Sequence, residues 1–435
     1  MKRFLCILLV AGCLSSFAKA ETYTLQQCIA TAVQNNNELR RQDNRREAQQ
    51  LAYNQARQNL LPYLNGSVGQ SWVFGRSIGA DNVYHSQNSS QTSFNLSAGL
   101  ILFDGLQMKF QIDQTRASLL SSEQDVKALE ADITMNISAM YLQVLLCKEL
   151  LAVAQNRLED TTLKLEKTEA LVSTGRMAQG EIYAIRAQQS KEQLSCTQAE
   201  NDLRLALLDL AQAMELDDFL SFDIALPSDD ELGERLLPSN DEVFAVALQN
   251  RPEIKAAEYS LQASESAVKA AKAAYSPTLS AGANLGTGYY NMNGAENEKF
   301  GKQLGDNLST SVGLTLNVPV FTRMQTTNAV RQAKLDRENT RLQMEQVKKD
   351  LRKKIDQAYY NALAAQSRQH AAGQAEESGA EAYRYAEQKY ESGRSSVYEY
   401  YEARNTYTQA RSERLQAKYD YLFKLKILYY YQGLL

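Results

Sequence analysis

Side chains that commonly do chemistry are sparse in this 435-residue sequence. It has two histidines, His85 and His370, and five cysteines, which leaves little for a metal or Cys/His site. The P-loop, H-E-x-x-H, C-x-x-C and G-x-G-x-x-G motifs are absent from the sequence. Carboxylates are abundant, but none is paired with an obvious base or nucleophile. The sequence therefore predicts no enzyme, no cofactor and no metal site.

One acidic pair near the end of the chain has a spacing that could line a charged path. Glu399 and Glu402 are three residues apart, so on a helix they share one face. Acidic residues are common in the surrounding segments, and a solvated helix face is the ordinary explanation of such a pair. Several copies of the pair arranged around one axis would instead form rings of carboxylates, which favour cations and repel anions.

The first 20 residues have the pattern of a secretory signal. A basic start and the apolar stretch Phe4–Leu14 precede an A-x-A cleavage site that ends at Ala20. Val10–Cys13 offers an alternative, a lipoprotein signal that would leave a lipid-modified cysteine as the first residue. Cleavage after Ala20 is preferred because helical patterning starts soon after Glu21.

Composition and charge narrow the class of protein further. Hydrophobic residues make up 44% of the chain, and beyond residue 20 no apolar run approaches the roughly 18 residues of a membrane-spanning helix. Removing residues 1–20 takes away three basic residues and changes the net charge from −4 to −7. That acidic balance argues against a nucleic-acid partner.

The three remaining cysteines, Cys28, Cys147 and Cys196, are predicted to pack as small apolar side chains.

The sequence repeats itself once. Ala32–Leu39 matches Ala247–Ile254 at an offset of 215 residues, and Ser173–Arg176 matches Glu391–Arg394 at an offset of 218. Each half is predicted to contain a helix, two strands after a proline, a very long helix, a glycine turn and a returning helix. The predicted divisions are a first repeat at 21–222, a linker at 223–240 and a second repeat at 241–435. In the first repeat, strands are expected at about 63–103 and a helical hairpin at about 105–214. In the second, strands are expected at about 278–320 and a hairpin at about 323–432.

Both halves contain a helical segment that is long for a globular domain. No strong helix breaker lies between Leu106 and Val172, and the counterpart of this segment is Met324–Tyr390. At 1.5 Å per residue, about 67 residues make a helix of about 100 Å. Apolar or small residues recur at steps of three and four from Val126 to Leu158, as in a coiled coil. So narrow an apolar seam requires partner helices from the same chain and from neighbouring copies.

Four segments alternate apolar with small polar residues, as strands do. They are Leu64–Phe74, Phe94–Leu102, Leu279–Tyr289 and Val312–Val318. Each strand is predicted to have about 10–13 residues, the length of a tilted membrane-spanning strand. A soluble β-sandwich shows the same alternation, but these strands have no second sheet to pack on. Lipid does not tolerate the two open edges of a four-stranded sheet, so closure requires several chains. Two chains would give eight strands, and three would give twelve around an open lumen.

On these features the sequence closely resembles the TolC-type outer-membrane efflux proteins. The resemblance covers essentially the whole chain after residue 20, including the strand exits Phe103–Gly105 and Pro319–Phe321. It implies a mainly α-helical protein with a membrane β-barrel sector, in the form of a homotrimeric channel-tunnel. A 12-stranded barrel, with four strands per chain, would lie in the outer membrane of a Gram-negative bacterium. A long coiled-coil α-helical barrel would extend into the periplasm.

The resemblance also transfers individual positions to this chain. The residues of the two glycine turns would lie at the periplasmic tip that docks to an adaptor protein: Gly175, Arg176, Gly393 and Arg394. The residues of the periplasmic gate would be Glu399, Glu402, Tyr390 and Glu181. One position departs from the best-studied member of the family, whose gating arginine falls at Ser395 here. The closed state must therefore be held by other contacts, or less firmly.

The expected function is that of a passive exit duct for small molecules such as drugs, gated at its periplasmic tip by opening of the coiled coils. Its expected partners are a periplasmic adaptor, an inner-membrane transporter of the RND or ABC type, and outer-membrane lipid. Two alternatives are the outer-membrane channel of a type I protein secretion system and a structural trimeric coiled-coil surface protein. Strands recur in both halves, which favours a duct, since an adhesin would have one terminal anchor.

Overall fold

The computed structural model describes residues 21–78, 82–86, 88–216, 222–226, 236–294 and 296–433. The expected signal segment, with its alternative lipidation site Cys13, lies outside the described residues, as does half of the expected linker at 223–240, namely residues 227–235.

The described chain is mainly helical, with 71% of residues in helices. Its elements in chain order are β1 (Glu21–Tyr23), α1 (Leu25–Asn35), α2 (Asn37–Gln58), β2 (Tyr63–Val73), β3 (Arg76–Ile78), β4 (Tyr84–Ser86), β5 (Ser89–Phe103), α3 (Gln107–Ser173), α4 (Gln179–Ala213), β6 (Phe222–Ile224), α5 (Asn240–Asn250), α6 (Pro252–Ala273), β7 (Thr278–Met292), α7 (Phe300–Asp306), β8 (Ser309–Asn317), α8 (Gln325–Glu391) and α9 (Val397–Gln432).

Corresponding helices of the two halves have equal or nearly equal lengths. Helices α1 and α5 have 11 residues each, α2 and α6 have 22, and α3 and α8 have 67. Helices α4 and α9 have 35 and 36 residues. The first two pairs start 215 residues apart and the last two start 218 residues apart.

Prolines stand at the boundaries of these elements, as their chemistry requires. Pro252 is the first residue of α6. At that position a backbone N–H would have no acceptor within the helix, so proline costs no hydrogen bond. Pro62 separates α2 from β2, and Pro277 separates α6 from β7. The long helices contain no proline, so none of their backbone hydrogen bonds is interrupted for that reason.

The four long strands form one antiparallel sheet in the order β2–β5–β7–β8. Among the described residues, β2 and β8 each pair with one strand, so each leaves one edge open. Strand β5 pairs with β7 from Ser89 to Phe103, with one irregularity between Ile101 and Phe103. The sheet therefore combines strands from both halves of the chain.

The register places the apolar positions of all four strands on one face of the sheet. Leu64 lies opposite Ala98, Leu96 lies opposite Leu285, and Ala281 lies opposite Leu314. Because side chains alternate along a strand, the other face carries small polar residues and glycines. The apolar face is open, since the side chains of Leu64, Val68, Val312, Leu314 and Leu316 are between 63% and 81% exposed.

Two segments between the long strands contain short elements that the sequence pattern does not predict. The segment 76–91 includes the β3–β4 hairpin, and β5 begins already at Ser89. The segment 291–306 contains α7, whose Phe300 packs edge-on against Tyr289 at 5.0 Å. Neither segment has the long apolar periodicity from which elements are predicted, so the hairpin and α7 are visible only in the structure.

The chain divides into two compact units. The first, here called the helical unit, comprises the chain up to Arg40, Lys127–Arg251 and the chain from Asp350. The second, the sheet unit, comprises Arg41–Val126 and Pro252–Lys349. Within the sheet unit, Ser121 Oγ on α3 donates a hydrogen bond to the Ala256 carbonyl on α6 at 2.9 Å.

The main apolar core of the helical unit joins α1, α3, α4, β6 and α9. Predicted seam residues Ile137, Val144 and Cys147 are buried in it, and so is Cys28. The other buried members are Ala32, Tyr141, Leu142, Leu145, Ala206, Leu210, Ala211, Met214, Phe222, Ile224, Tyr419 and Leu422. The three described cysteines are buried and unpaired, as predicted, and desolvation raises the pKa of Cys28 to about 12.

Helix α3 contains an apolar stretch that was not expected from the sequence. By length and composition alone, α3 could cross a membrane, because one stretch of 18 residues in it is strongly apolar. Of that stretch, 44% is buried within the protein. The buried side chains of α3, among them Tyr141, Leu142 and Leu145, pack in the core of the helical unit. Packing within the chain thus accounts for the buried part of this stretch, and the expectation that no such stretch exists was wrong.

Candidate functional site

The ends of the two long helices have the same backbone geometry. Gly175 follows α3 and Gly393 follows α8, each with a φ of 72°. After each glycine, the N–H of the arginine donates back to a carbonyl of the helix: Arg176 to Leu171 at 2.9 Å and Arg394 to Lys389 at 2.8 Å. This left-handed cap closes the last turn of each helix. Both arginine side chains are exposed.

The predicted acidic pair lies at the start of α9. Ser396 caps that helix by accepting a hydrogen bond from the Glu399 N–H at 3.3 Å. The hydroxyl of Ser395 donates to the Glu399 carboxylate at 2.5 Å. Glu402 follows one turn later, and both glutamates are exposed. Ser395 thus contacts one of the two predicted gate carboxylates.

The structure brings the other two predicted gate residues into electrostatic contact. Tyr390 is half-buried near the end of α8, and its ring stacks on that of Tyr400 at 5.1 Å. Burial, and then the charge of Glu181, raises the pKa of Tyr390. Glu181 lies in the first turn of α4. Its Oε2 atom is buried and has no hydrogen-bond partner among the described residues.

A cluster of tyrosines joins α8 to α9 close to these turns. The hydroxyls of Tyr383 and Tyr400 share a hydrogen bond at 3.0 Å, and Tyr400 is fully buried. The ammonium group of Lys164 on α3 lies 3.7 Å from the centre of the Tyr400 ring. The Glu387 carboxylate accepts from Tyr383 at 3.0 Å and lies 3.5 Å from the Lys164 ammonium. Burial lowers the pKa of Lys164, because it removes water from the charged form.

A buried ionic network connects α3, α4 and α9. The guanidinium of Arg404 donates to Thr161 Oγ1 at 2.6 Å and to the Arg157 carbonyl at 2.9 Å. Arg157 Nε donates to Glu192 Oε1 at 3.0 Å, and its other end donates to Asn405. Arg404 and Glu192 are only 3% and 2% exposed. The charge of Arg404 is compensated by Asp160 at 3.5 Å and Glu192 at 3.7 Å, and that of Glu192 mainly by Arg157.

Sequence reasoning missed the residues of this network and Lys164. The excess of tyrosine near the C-terminus was visible, and packing between helices was expected of it. The position of Arg404 was also informative, because it lies four residues after Tyr400 and thus on the face that Tyr400 buries. Its partners Glu192 and Arg157 are too distant in sequence for any local pattern to connect them.

Two other chemical readings of the chain find no support in the geometry. The letters from Gly75 to Gly79 fit G-x-S-x-G, yet the three middle residues form strand β3 of a short hairpin and not a strand-to-helix turn. Within the described ranges, no three His, Cys, Asp or Glu side chains come together as metal ligands.

Residues 28–214 and 243–433 match the outer membrane efflux protein family. The chain belongs to this family. As a member of it, the protein is located in the outer membrane of a Gram-negative bacterium and extends into the periplasm.

Individual relatives agree with this assignment. The outer membrane efflux protein BepC of Brucella suis is 22% identical over 268 residues, which cover 61% of this chain and 56% of BepC. The outer membrane protein TolC of Escherichia coli K12 is 24% identical over 434 residues, which cover 97% of this chain and 84% of TolC. The chain spans between 53% and 61% of the length of several other curated relatives it matches.

The fold is also that of solved outer-membrane channels. The crystal structure of the CmeC outer membrane channel of Campylobacter jejuni superposes with a TM-score of 0.76 at 19% identity. The superposition covers 94% of this chain and 86% of CmeC.

Proposed function

We propose that this protein is the outer-membrane exit duct of a tripartite efflux pump for small molecules. The observation that carries the proposal is the four-stranded sheet, whose apolar face is exposed and whose two edges are open in a single chain. An exposed apolar face is unfavourable in water and favourable against lipid. Open strand edges are unfavourable in lipid unless they pair with edges of neighbouring chains, which closes a barrel. Membership of the outer membrane efflux protein family supports the same conclusion.

In this proposal three copies assemble into one channel. Their twelve strands close the barrel, and the open edge of β2 in one copy pairs with that of β8 in the next. The seam residues Leu335 and Leu342 on α8 are 61% and 49% exposed in one chain, and helices of a neighbouring copy would cover them. The equal lengths of corresponding helices support an organisation of two repeats, 21–222 and 241–435, with 223–240 as the linker.

The gate is placed at the glycine turns of the helical unit. Three copies would arrange Glu399 and Glu402 as two rings of carboxylates around the pore. Tyr390 and Glu181 would hold the two helical hairpins of each chain together. Ser395 would orient the Glu399 carboxylate through its hydrogen bond.

The partners follow from this arrangement. The exposed turns with Gly175, Arg176, Gly393 and Arg394 are the proposed docking surface for a periplasmic adaptor. An inner-membrane transporter of the RND or ABC type supplies the energy, so the duct itself is passive and carries out no reaction.

Planar-bilayer recordings of the purified protein test the function directly. Chemical cross-linking should give a trimer, and the trimer should conduct ions without any energy source. Replacing both Glu399→Gln and Glu402→Gln should change the conductance and weaken block by multivalent cations, because the rings lose their negative charge. Glu413→Gln is the matched control, an exposed acid on the same helix.

Two results would contradict the proposal. A folded monomer that stays soluble without detergent would remove the barrel. Unchanged cation block in the double variant would remove Glu399 and Glu402 from the gate while leaving the duct intact.

A further inference from the structure

The four long strands of the sheet unit are built entirely from uncharged residues. Strands β2, β5, β7 and β8 have 11, 15, 15 and 9 residues, and the structure describes all of them. Aspartate, glutamate, lysine and arginine make up 23% of the whole chain, and α2, which precedes β2, contains five arginines. The sheet is therefore an uncharged region of a chain that is otherwise rich in charge.

Lipid accounts for this neutrality on only one of the two faces. The apolar face would meet acyl chains in a barrel, and charged side chains there are strongly destabilising. The polar face would line water, where charged side chains are well solvated and carry no such cost. The neutrality of the polar face is thus a property of the water-filled side of the sheet.

A row of amides and hydroxyls crosses this polar face from strand to strand. The register places Asn65 beside Ser97, Ser97 beside Asn284, and Asn284 beside Ser311. The side chains of Asn65, Asn284 and Ser311 are exposed, and Ser97 is half-buried. Amides and hydroxyls both donate and accept hydrogen bonds. They therefore contact cations, anions and uncharged polar groups without a preference for one sign.

Charges beyond the strand ends are too far away to act on this row. Ser97 lies seven residues before Asp104, which is about 24 Å along a strand. On the other side, Asp306 precedes the residue whose amide donates to the Gly288 carbonyl at 2.8 Å. Gly288 is four residues, or about 14 Å, from Asn284. Both separations exceed the Debye length of about 8 Å at physiological ionic strength, so water and salt screen these charges.

We propose that the barrel sector is an electrically neutral passage, which admits cations, anions and uncharged polar molecules alike. This inference rests on the duct proposed above and extends it to the class of cargo. Selection by charge then takes place outside the strands, at carboxylates such as Glu399 and Glu402. Where the cargo crosses the outer membrane, it meets hydrogen-bonding groups but no fixed charge.

Thiol labelling of the full chain in detergent measures the charge of the passage. Asn284→Cys places a thiol in the row, and its rates with cationic trimethylammonioethyl and anionic sulfonatoethyl methanethiosulfonate are compared with those of a free thiol in solution. We expect the ratio of the two rates to match that of the free thiol within about twofold, because no unscreened charge is near. The described native cysteines are buried, and the wild type gives the background.

Two further variants complete the test. Ser311→Cys lies in the same row and involves a smaller change of side chain, so it replaces Asn284→Cys if that variant does not fold. Tyr398→Cys is the charged control, because Tyr398 is 73% exposed and lies one helical turn before Glu402. Its ratio should favour the cationic reagent by about tenfold, since the two reagents differ by two charges next to the carboxylates.

The possible failures are distinguishable. A preference of tenfold or more for either reagent in the row would overturn the neutral passage and leave the duct intact. A ratio at Tyr398→Cys equal to that of the free thiol would overturn the proposal that selection by charge takes place at Glu399 and Glu402. If neither reagent reaches the row in the folded protein but both do after denaturation, the polar face does not line water. That result would overturn the neutral passage and the proposed duct together.

Discussion

The guanidinium of Arg404 lies 3.7 Å from the carboxylate of Glu192, and both side chains are almost completely buried. The two residues belong to α9 and α4, and Arg404 also donates to Thr161 on α3. Charges buried to this extent are stable only while each keeps its partners. The pair therefore holds three helices in one arrangement near the glycine turns.

Removing Arg404 should loosen this end of the helical unit. In Arg404→Ala, the Glu192 carboxylate keeps Arg157 but loses its second positive neighbour, and the buried Thr161 hydroxyl and Arg157 carbonyl lose their donor. This should lower the free energy of unfolding by about 1–3 kcal/mol. Hydrogen exchange should rise in the first turns of α9 and in the facing part of α3. Arg411→Ala, an exposed arginine on the same helix, is the control and should have little effect. Equal exchange in both variants would show that the network does not hold α9.

Replacing Gly393 or Gly373 by alanine should change the stability of the protein in opposite directions. Gly393 has a φ of 72°, where an L-residue costs about 1–2 kcal/mol, so Gly393→Ala should destabilise the protein. Gly373 lies inside α8 with nothing near its added methyl group, so Gly373→Ala should stabilise it by about 0.5–1 kcal/mol. Thermal unfolding of the two variants checks both signs. A stabilised Gly393→Ala protein would contradict the left-handed cap.

Adjacent residues of β8 should differ in their tolerance of charge. Val312 is 81% exposed on the apolar face of the sheet, and Ser311 points to the opposite face. A lysine on the lipid face costs about 2–4 kcal/mol at the membrane midplane. Val312→Lys should therefore reduce the amount of trimer recovered from outer membranes, whereas Ser311→Lys should be recovered like the wild type. Equal recovery of both variants would argue against a lipid-facing sheet.

Stability should fall in alkaline solution as buried tyrosines ionise. Burial raises the pKa of Tyr401 to about 12 and also raises that of Tyr383, whereas an unfolded tyrosine titrates near pH 10. Their contribution is fully present below pH 10 and is lost as the pH rises towards 12, because the folded state then binds more protons than the unfolded state. Lys164, with its lowered pKa, acts in the opposite direction and offsets part of this loss.

Unfolding midpoints measured from pH 8 to pH 12 check this dependence. The decline should be shallower in Tyr401→Phe, which lacks one of the ionising groups, and unchanged in Tyr398→Phe. A profile of Tyr401→Phe that matches the wild type would mean that Tyr401 titrates like an exposed tyrosine.

Local pattern was sufficient to locate most elements. Alternation from Phe94 to Leu102 predicts a strand that the structure extends to Ser89–Phe103, and the absence of breakers after Leu106 predicts the 67-residue helix α3. The seam predicted Ile137 and Val144 in the core. It missed Tyr141, Leu142 and Leu145, because the packed helices bury a wider face than one narrow seam. The β3–β4 hairpin and α7 were missed, because such short elements have no periodicity to read.

The candidate site was only partly predictable, because many of its contacts join residues that are far apart in the sequence. A spacing of three residues places Glu399 and Glu402 on one helix face, and a glycine after a long helix predicts its cap. The proximity of Tyr390 to Glu181, of Lys164 to Tyr400, and of Arg404 to Glu192 joins residues that are far apart in the chain.

By itself the sequence determined the helices, the strands and their apolar faces, since these depend on side chains only a few residues apart. It also determined the family, through the order of those elements in two halves. Only the tertiary structure decided the register of the sheet and the buried ionic network. Their energies come from contacts between distant segments, and such contacts exist only once the helices have packed.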